Sequence, residues 1–410
     1  APGFNTINAT KTLDSAGYRF DKTLKSRINP KTGQPLHMTV LTPLKDTSPV
    51  LWDIGYTLTY YINGLGIEAD HVALPDYLFQ LRAMETRDFD ILVQDITLSK
   101  APFGLYSLLY SSRDTDGTDA FSGIHDNNLD ILLEQLWSSL DLPAAQKAAQ
   151  DVQSKLADIL PYVPVCSVPV FSAVNEQWVG FVNMPGTGIS NLWSYESIKS
   201  TGKTTNNALR LIVSGEIDNL NPLTASTSGE WSILSQIFSP LFYSDPQSLQ
   251  DTPVLAKKWD VQPWTTPSGS KGTKITFHLI DGVTWQDGVP FTAQDIKFGI
   301  DYIVSKQVPG FEDISNLVDN VQTPDNLTVE IYLKDSGYRY IYDFAWLTFL
   351  PQHIWQNVDD YHSFSPWNEI NPQNKELTKL VGQGPFVLKP GNISNGIRLV
   401  KNESAVQVKP

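Results

Sequence analysis

The chain has 410 residues, of which 41% are hydrophobic and 18% are charged, and its formal net charge is −14 at pH 7. This length predicts two or three lobes of ordinary domain size, and the hydrophobic fraction is enough for packed cores, which excludes an intrinsically disordered chain. The acidic balance leaves no basic patch for phosphates, so it excludes nucleic acid as a partner and disfavours adhesion to anionic lipid.

The first half of the chain alternates predicted strands with predicted helices. Strands are predicted at 37–42, 68–73, 89–94 and 163–174, and helices at 50–63, 76–86, 129–140 and 144–159. Such alternation is typical of helices packed on a mixed sheet, so we expect an α/β lobe. The single cysteine, Cys166, is expected to be a buried strand residue and not a reactive thiol, because nothing near it in sequence lowers its pKa.

Between the halves, residues 195–207 are rich in Ser, Thr, Lys, Gly and Asn, which predicts a linker. A strand is predicted at 209–213 and a loop at 263–272. The two halves show no self-similarity, so the chain is not a duplication.

Residues 273–304 (TKITFHLIDGVTWQDGVPFTAQDIKFGIDYIV) predict a strand, two glycine turns around a short strand, and a helix. The alternating apolar positions are Ile275, Phe277 and Leu279. Asp-Gly pairs at 281–282 and 287–288 predict the turns, because glycine tolerates positive φ. Thr292 and Asp295 have the spacing of a helix cap, and an apolar stripe follows them. Taken one by one, these residues are expected to be structural.

Their combination closely resembles the signature of the extracellular solute-binding proteins of family 5, the peptide- and nickel-binding components of ABC transporters. Further phrases similar to family landmarks are LNP at 220–222, IFSPLF at 237–242, LAKKW at 255–259, LPQHIW at 350–355 and GQGPF at 382–386. The first half resembles the other end of the family, in LDSAGY at 13–18, GQPLHMTVLT at 33–42, DFDI at 88–91, GFV at 180–182 and NLW at 191–193. The landmarks therefore stand in reversed order.

This resemblance implies an α/β fold like that of type II periplasmic binding proteins, with lobes of mixed sheet flanked by helices. The expected divisions are 1–193 as a lobe similar to the family's C-terminal portion, 194–208 as a linker, 209–249 with 381–410 as one lobe, and 250–380 as a smaller appended domain. The family segment that should join the landmarks near Gly384 to those near Gly17 has no counterpart. Circular permutation with a deletion, one register cut from a tandem array, and polymer subunits that complete each other's lobes all account for this order.

The resemblance also implies binding in a cleft between two lobes, without catalysis. It places cleft-lining groups at Ser226, Thr227 and Ser228, near Trp231, and at Gln383 and Gly384 on the hinge side. A plain polar turn accounts equally well for 226–228, and large aromatic side chains such as Trp231 are more often core residues.

One departure from the family concerns peptide recognition. Peptide binders of the family hold the peptide's α-ammonium group with an aspartate after the DFDI-like strand. The matching position here is Ser99 or Lys100, depending on a one-residue gap, and Asp95 is the nearest carboxylate. Free-amine recognition is therefore in doubt, and a sugar, another neutral ligand or no ligand becomes the stronger expectation.

Enzymatic and metal sites are not indicated. The six histidines show no HxH or HxxxH spacing, no G-x-S-x-G or nucleotide-binding phrase occurs, and an acidic pair such as Asp359 and Asp360 is only a remote indication of a glycosidase. No cofactor or metal is expected.

The sequence also predicts location. It shows no signal peptide and no apolar run of about 20 residues that would span a bilayer. The abrupt start at Ala1 suggests a processed or excised chain. Sequons at Asn8, Asn326, Asn392 and Asn402 allow N-glycosylation of an exported chain, and the composition favours a cell-surface protein, of an archaeal kind.

Two hypotheses follow. The first is a transport receptor that delivers an oligopeptide or oligosaccharide to an ABC permease. The second is a structural, filament-forming surface protein in which neighbouring subunits complete each other's lobes as a homo-polymer. Completeness separates them, because a receptor needs both lobes in one chain.

Overall fold

The computed structural model describes residues 4–97, 100–113, 122–167, 169, 171–202, 208–213, 217–393 and 396–406. The chain divides into two compact units, Ala1–Leu136 with Ala148–Val163, and Trp137–Lys147 with Pro164–Pro410.

Helices and strands alternate through the first unit. The elements in chain order are α1 (Thr6–Ser15), β1 (Phe20–Asp21), β2 (Ser26–Arg27), β3 (His37–Pro43), α2 (Pro49–Gly64), β4 (Glu68–Leu74), α3 (Asp76–Gln80), β5 (Ile91–Leu92), α4 (Gly104–Leu109), α5 (Asn127–Trp137) and α6 (Leu142–Ile159). A π-helical turn, Leu81–Thr86, continues α3. The unit boundary cuts α5 after Leu136 and α6 after Lys147.

A parallel sheet in the order β4-β3-β5 forms the centre of this unit. Val40 of β3 packs with Ile62 of α2, whereas the next residue, Leu41, packs with Phe79 of α3. Successive strand residues point to opposite faces, so one strand buries apolar side chains under helices on both sides. The α/β class predicted from the alternation is confirmed.

The second unit contains the longer strands. Its elements are β6 (Trp178–Val179), α7 (Leu192–Ser197), β7 (Lys199–Ser200), α8 (Ser228–Ile237), β8 (Phe242–Ser244), β9 (Asp251–Pro253), β10 (Ala256–Thr265), β11 (Lys271–Leu279), α9 (Ala293–Lys306), α10 (Glu312–Leu317), β12 (Val318–Asp325), β13 (Thr328–Leu333), α11 (Tyr340–Ala345), α12 (Gln352–Trp355), β14 (Phe386–Leu388) and β15 (Leu399–Lys401). Four of the strands form an antiparallel sheet in the order β10-β11-β13-β12.

The strand-turn-helix pattern at 273–304 is confirmed in most of its detail. The three alternating apolar residues of β11 are fully buried, and Gly282 and Gly288 adopt positive φ in the turns. Thr292 and Asp295 form a reciprocal capping box at the start of α9. The short strand expected between the turns is reduced to a single bridge, Thr284 with Pro290.

The strand predicted at 163–174 is wrong for the residues that the structure describes, which form no strand. Val163, Val165 and Phe171 are exposed, the last to 90%. Cys166 is exposed too, so its expected burial is also wrong. The stretch is rich in apolar residues, but no neighbouring strand among the described residues pairs with it.

Other boundaries moved for similar reasons. Residues 208–213 form no strand, and Ile212 is fully exposed. The strand at 89–94 shortens to β5, which is only half-buried. The loop at 263–272 shrinks because β10 and β11 pair up to Thr265 and Lys271. Within 194–208, α7 and β7 are regular structure, and 203–207 lie outside the described residues. The family-based domain boundaries and the permuted order stay predictions.

Candidate functional site

The loop before α8 carries the first group of predicted site residues. Ser226, Thr227 and Ser228 are exposed there, as a ligand-contacting loop requires. Thr227 is the N-cap of α8, and its side chain accepts a hydrogen bond from the backbone of Glu230. Ser226 and Ser228 are exposed at the N-terminus of α8, where the positive end of the helix dipole lies.

The backbone N–H groups of this loop are already used, by a residue that the sequence analysis missed. The Glu230 carboxylate is 2% exposed and accepts hydrogen bonds from the N–H groups of Ser226 at 2.9 Å and Thr227 at 3.0 Å. Its other oxygen accepts from the N–H of Asn219 at 3.1 Å. These hydrogen bonds hold the loop in place, so the N–H groups of Ser226 and Thr227 are already occupied.

These contacts set the ionisation of the carboxylate. Burial by itself raises the pKa of Glu230, but the hydrogen bonds from the loop outweigh it, so the pKa lies below its ordinary value. A carboxyl with a depressed folded-state pKa stabilises the fold above its unfolded-state pKa of about 4.3, and this contribution is lost as the pH falls through the folded-state value.

Glu230→Gln is therefore expected to lower the free energy of unfolding by about 1–3 kcal/mol at neutral pH. The change replaces one of the two accepting oxygens with an NH2 group, which cannot accept from the loop's N–H donors. The gap between wild type and variant should shrink as the pH falls below the unfolded-state pKa of about 4.3 and through the lower folded-state pKa of Glu230. Urea unfolding at neutral pH and at acidic pH measures this. A gap that is the same at both would show that the carboxylate's charge does not stabilise the loop.

Trp231 lies half-buried beside the same loop, and its indole N–H donates to the carbonyl oxygen of Ala225 at 3.2 Å. The ring thus supports the loop from one side. Whether it also touches a ligand stays a prediction.

The second group, Gln383 and Gly384, packs against the other end of α8. The N–H of Gly384 donates to the carbonyl oxygen of Ile237 at 2.7 Å, and the Gln383 amide donates to that of Ser239 at 3.2 Å. Both residues are buried, Gln383 to 1% exposure. The seam is the contact that Gln383 and Gly384 make with the C-terminal end of α8 and with Ser239.

Polar atoms without partners are concentrated around that seam. Among the described residues, Oε1 of Gln383, Oε1 of Gln236 and Nε1 of Trp285 are buried and make no hydrogen bond. Gln236 precedes Ile237, and Trp285 precedes Gln286, whose N–H donates to Gly382 at 2.9 Å. Buried polar groups are normally paired. The Gln383 carbonyl oxygen lacks a protein partner, but it is enclosed, so a ligand at the surface does not reach it.

The two groups lie at opposite ends of one helix. Ser228 and Ile237 bound α8, and nine steps at about 1.5 Å each separate them by about 14 Å. The two groups therefore do not form one compact site, and only the N-terminal group is exposed.

The remaining predicted site residues, Asp95 and Ser99 or Lys100, are not in the second unit. Asp95 belongs to the first unit, where it is exposed beyond β5, as is Lys100. Ser99 lies outside the described residues. Among the described residues no group of three or more His, Cys, Asp or Glu side chains could hold a metal ion.

The sequons differ in accessibility. Asn8, Asn326 and Asn392 are exposed. Asn402 is buried, and its amide nitrogen, the atom to which a glycan is attached, donates to the carbonyl oxygen of Gly384 at 2.9 Å. This burial disfavours a glycan at Asn402, and the use of the sequons stays a prediction.

Three features described above lie in one segment that is similar to the solute-binding proteins. They are the sheet β10–β13, the capped helix α9, and the residues Gln383 and Gly384. Residues 252–407 match the model of the bacterial extracellular solute-binding proteins, family 5 middle region. Over this segment the chain is similar to that family, which confirms the resemblance found in the sequence.

Named relatives agree with this assignment. The chain is 28% identical over 175 residues to a periplasmic alpha-galactoside-binding protein of Rhizobium meliloti, covering 39% of this chain and 24% of the relative. It is 28% identical over 170 residues to a Brucella ovis protein named as an ABC transporter peptide-binding protein (41% and 29%), and 24% identical over 226 residues to the oligopeptide-binding protein AmiA of Streptococcus pneumoniae (50% and 32%). The chain thus spans about a quarter to a third of the length of these relatives.

Solved structures also show similarity. The ABC transporter substrate-binding protein CtaP of Listeria monocytogenes matches with 23% identity and a TM-score of 0.36, over 47% of this chain and 37% of that one. NikZ of Campylobacter jejuni, solved with Ni(L-His), matches with 24% identity and a TM-score of 0.37, over 48% and 36%. In the described part of the chain, every helix is too short or too polar to cross a membrane.

Proposed function

We propose that the chain is the ligand-binding part of a noncatalytic, extracellular solute-binding protein, which holds an oligopeptide or oligosaccharide for an ABC permease. The observation that carries the proposal is the family match over 252–407. The named relatives bind alpha-galactosides and oligopeptides, which are both extended ligands.

The N-terminal end of α8 supports this choice of ligand. Ser226, Thr227 and Ser228 are exposed there and carry hydroxyl groups. The Glu230 carboxylate is buried and accepts hydrogen bonds from the loop, so it presents no charge to a ligand. A ligand rich in hydroxyl groups suits this surface, and we propose an oligosaccharide before a peptide.

The test is calorimetric titration of the 410-residue chain with neutral galacto-oligosaccharides and with neutral peptides of similar length. We expect the oligosaccharides to bind. Ser228→Ala, which removes an exposed hydroxyl at the N-terminus of α8, should weaken binding about 2- to 10-fold, the worth of one neutral hydrogen bond.

Ser235→Ala is the matched control, because Ser235 is an exposed serine later on the same helix. It should leave affinity unchanged. Binding of peptides alone would overturn the choice of ligand, and equal losses in both variants would overturn the placement of the site. Heat from neither ligand class would overturn the proposed function for this chain.

The structural-protein alternative gains nothing from the relatives named above, none of which is described as structural or filament-forming. It stays a prediction from the sequence.

A further inference from the structure

A cavity of about 320 Å3 lies in the second unit, beside the loop that follows α12. Its walls include the charged residues Asp359, Asp360 and Lys379 and the apolar residues Ile354, Val358 and Phe364. Ligand pockets have volumes of about 300–1,000 Å3, so this one suits a small molecule. None of these residues belongs to the candidate site around α8.

The loop that carries the two aspartates is fixed from α9. The Tyr302 hydroxyl donates to the carbonyl oxygen of Val358 at 2.7 Å, and the Lys306 ammonium group donates to that of Asp359 at 2.8 Å. Both donors lie on one rigid helix. The first part of the loop is thus held before any ligand arrives, which lowers the entropic cost of binding.

The second part of the loop is fixed by one amide. Nδ2 of Asn221 donates to the carbonyl oxygens of Tyr361 at 2.8 Å and Phe364 at 3.0 Å. The Phe364 ring also packs edge-on against Trp355, with 5.0 Å between ring centroids. The apolar wall of the cavity is therefore as well ordered as its charged rim.

The charges on the rim are not paired with one another. Among the described residues, neither Asp359, Asp360 nor Lys379 has an oppositely charged group within 4.0 Å. Asp360 accepts from the N–H of His362 at 3.0 Å, and the His362 ring stacks on Tyr361. Lys306 is committed to the Asp359 carbonyl oxygen and to the Tyr302 ring. The Asp359 carboxylate and the Lys379 ammonium group thus remain for a ligand, whereas the Asp360 carboxylate is already hydrogen-bonded by His362 and Ser363.

We propose that this cavity binds a small zwitterion, an amino acid with an apolar side chain. Its ammonium group would pair with Asp359, its carboxylate with Lys379, and its side chain would pack on Phe364. Both charges of such a ligand find opposite charges. Asp359 and Asp360 are exposed and Lys379 is half-buried, so water screens these pairs and each adds modestly to the affinity. A bare divalent cation fits less well, because it needs about six oxygen ligands and here faces an ammonium group.

The test is calorimetric titration of the 410-residue chain with L-leucine, L-leucinamide and N-acetyl-L-leucine. We expect L-leucine to bind, and the two derivatives, which each lack one charge, to bind about 2- to 5-fold more weakly, the worth of an exposed ion pair. No heat with millimolar L-leucine, or equal affinity for all three compounds, would overturn the proposal.

Variants locate the site. Asp359→Asn and Lys379→Gln should each weaken L-leucine binding about 2- to 5-fold. Their exposed counterparts in the same unit, Asp319→Asn and Lys271→Gln, should bind like wild type. Neither cavity side chain makes a hydrogen bond that the fold uses, and an unchanged melting temperature would verify this. Loss of binding in Ser228→Ala but not in Lys379→Gln would assign the amino acid to the α8 site and sink the proposal.

Discussion

Asn221→Asp is expected to unfold at a much lower urea concentration than wild type. Asn221 is 1% exposed, and its Nδ2 donates to the carbonyl oxygens of Tyr361 and Phe364. The change keeps the shape of the side chain but turns its donor into an acceptor that faces two other acceptors. We expect a loss of about 3–5 kcal/mol in the free energy of unfolding, the usual cost of an uncompensated buried charge.

The loss of stability caused by Asn221→Asp should depend on pH. The introduced carboxyl should have a raised pKa, because burial and two facing carbonyl oxygens disfavour its charged form. The penalty is therefore small below the ordinary aspartate pKa of about 3.9 and grows as the pH rises. Asn320→Asp, an exposed asparagine on β12, is the control and should cost little. Equal effects of the two changes would contradict the role given to the Asn221 amide.

Gly382→Ala should be the second most disruptive of the changes considered. A Cβ on Gly382 would overlap the carbonyl group of Ile237 and come within 2.8 Å of its side chain. The blocking atoms are mostly backbone, so the seam must open. Opening it strains the bond from the Gly384 N–H to Ile237. We expect a loss of about 2–4 kcal/mol from overpacking and a weakened hydrogen bond.

Gly391→Ala is the matched control in the same unit. A Cβ on Gly391 would meet nothing within 4 Å, and its φ is not positive, so we expect its stability to match wild type. Thermal or urea unfolding of the two variants side by side measures the difference. If both variants melt together, the glycine at 382 is not required by close packing.

The sequence predicted best where the signal was local. The capping pair Thr292 and Asp295 and the alternation in β11 contain all the partners that they need within a few residues. The same kind of signal existed at Glu230, since Thr227 and Glu230 have the Ser/Thr-x-x-Glu spacing of a capping box. It was overlooked, and with it the reason that the loop's N–H groups are occupied.

Prediction failed where the answer depended on distant partners. Strand formation at 163–174 and 208–213 depends on a neighbouring strand, and alternation alone cannot reveal whether one exists. Likewise, no local pattern around Asn221 indicates that its amide reaches residues 140 positions away. Of the predicted site residues, the structure places Ser226 to Trp231 and Gln383 with Gly384 at the two ends of α8.

The exposed position of Cys166 has a practical consequence. It is the only thiol in the chain and stands within the exposed apolar stretch at 163–174. A maleimide reagent should therefore modify the protein at one defined atom. Since a covered thiol reacts more slowly than an exposed one, the rate of that modification would report when any ligand, partner or further length of chain lies over the stretch.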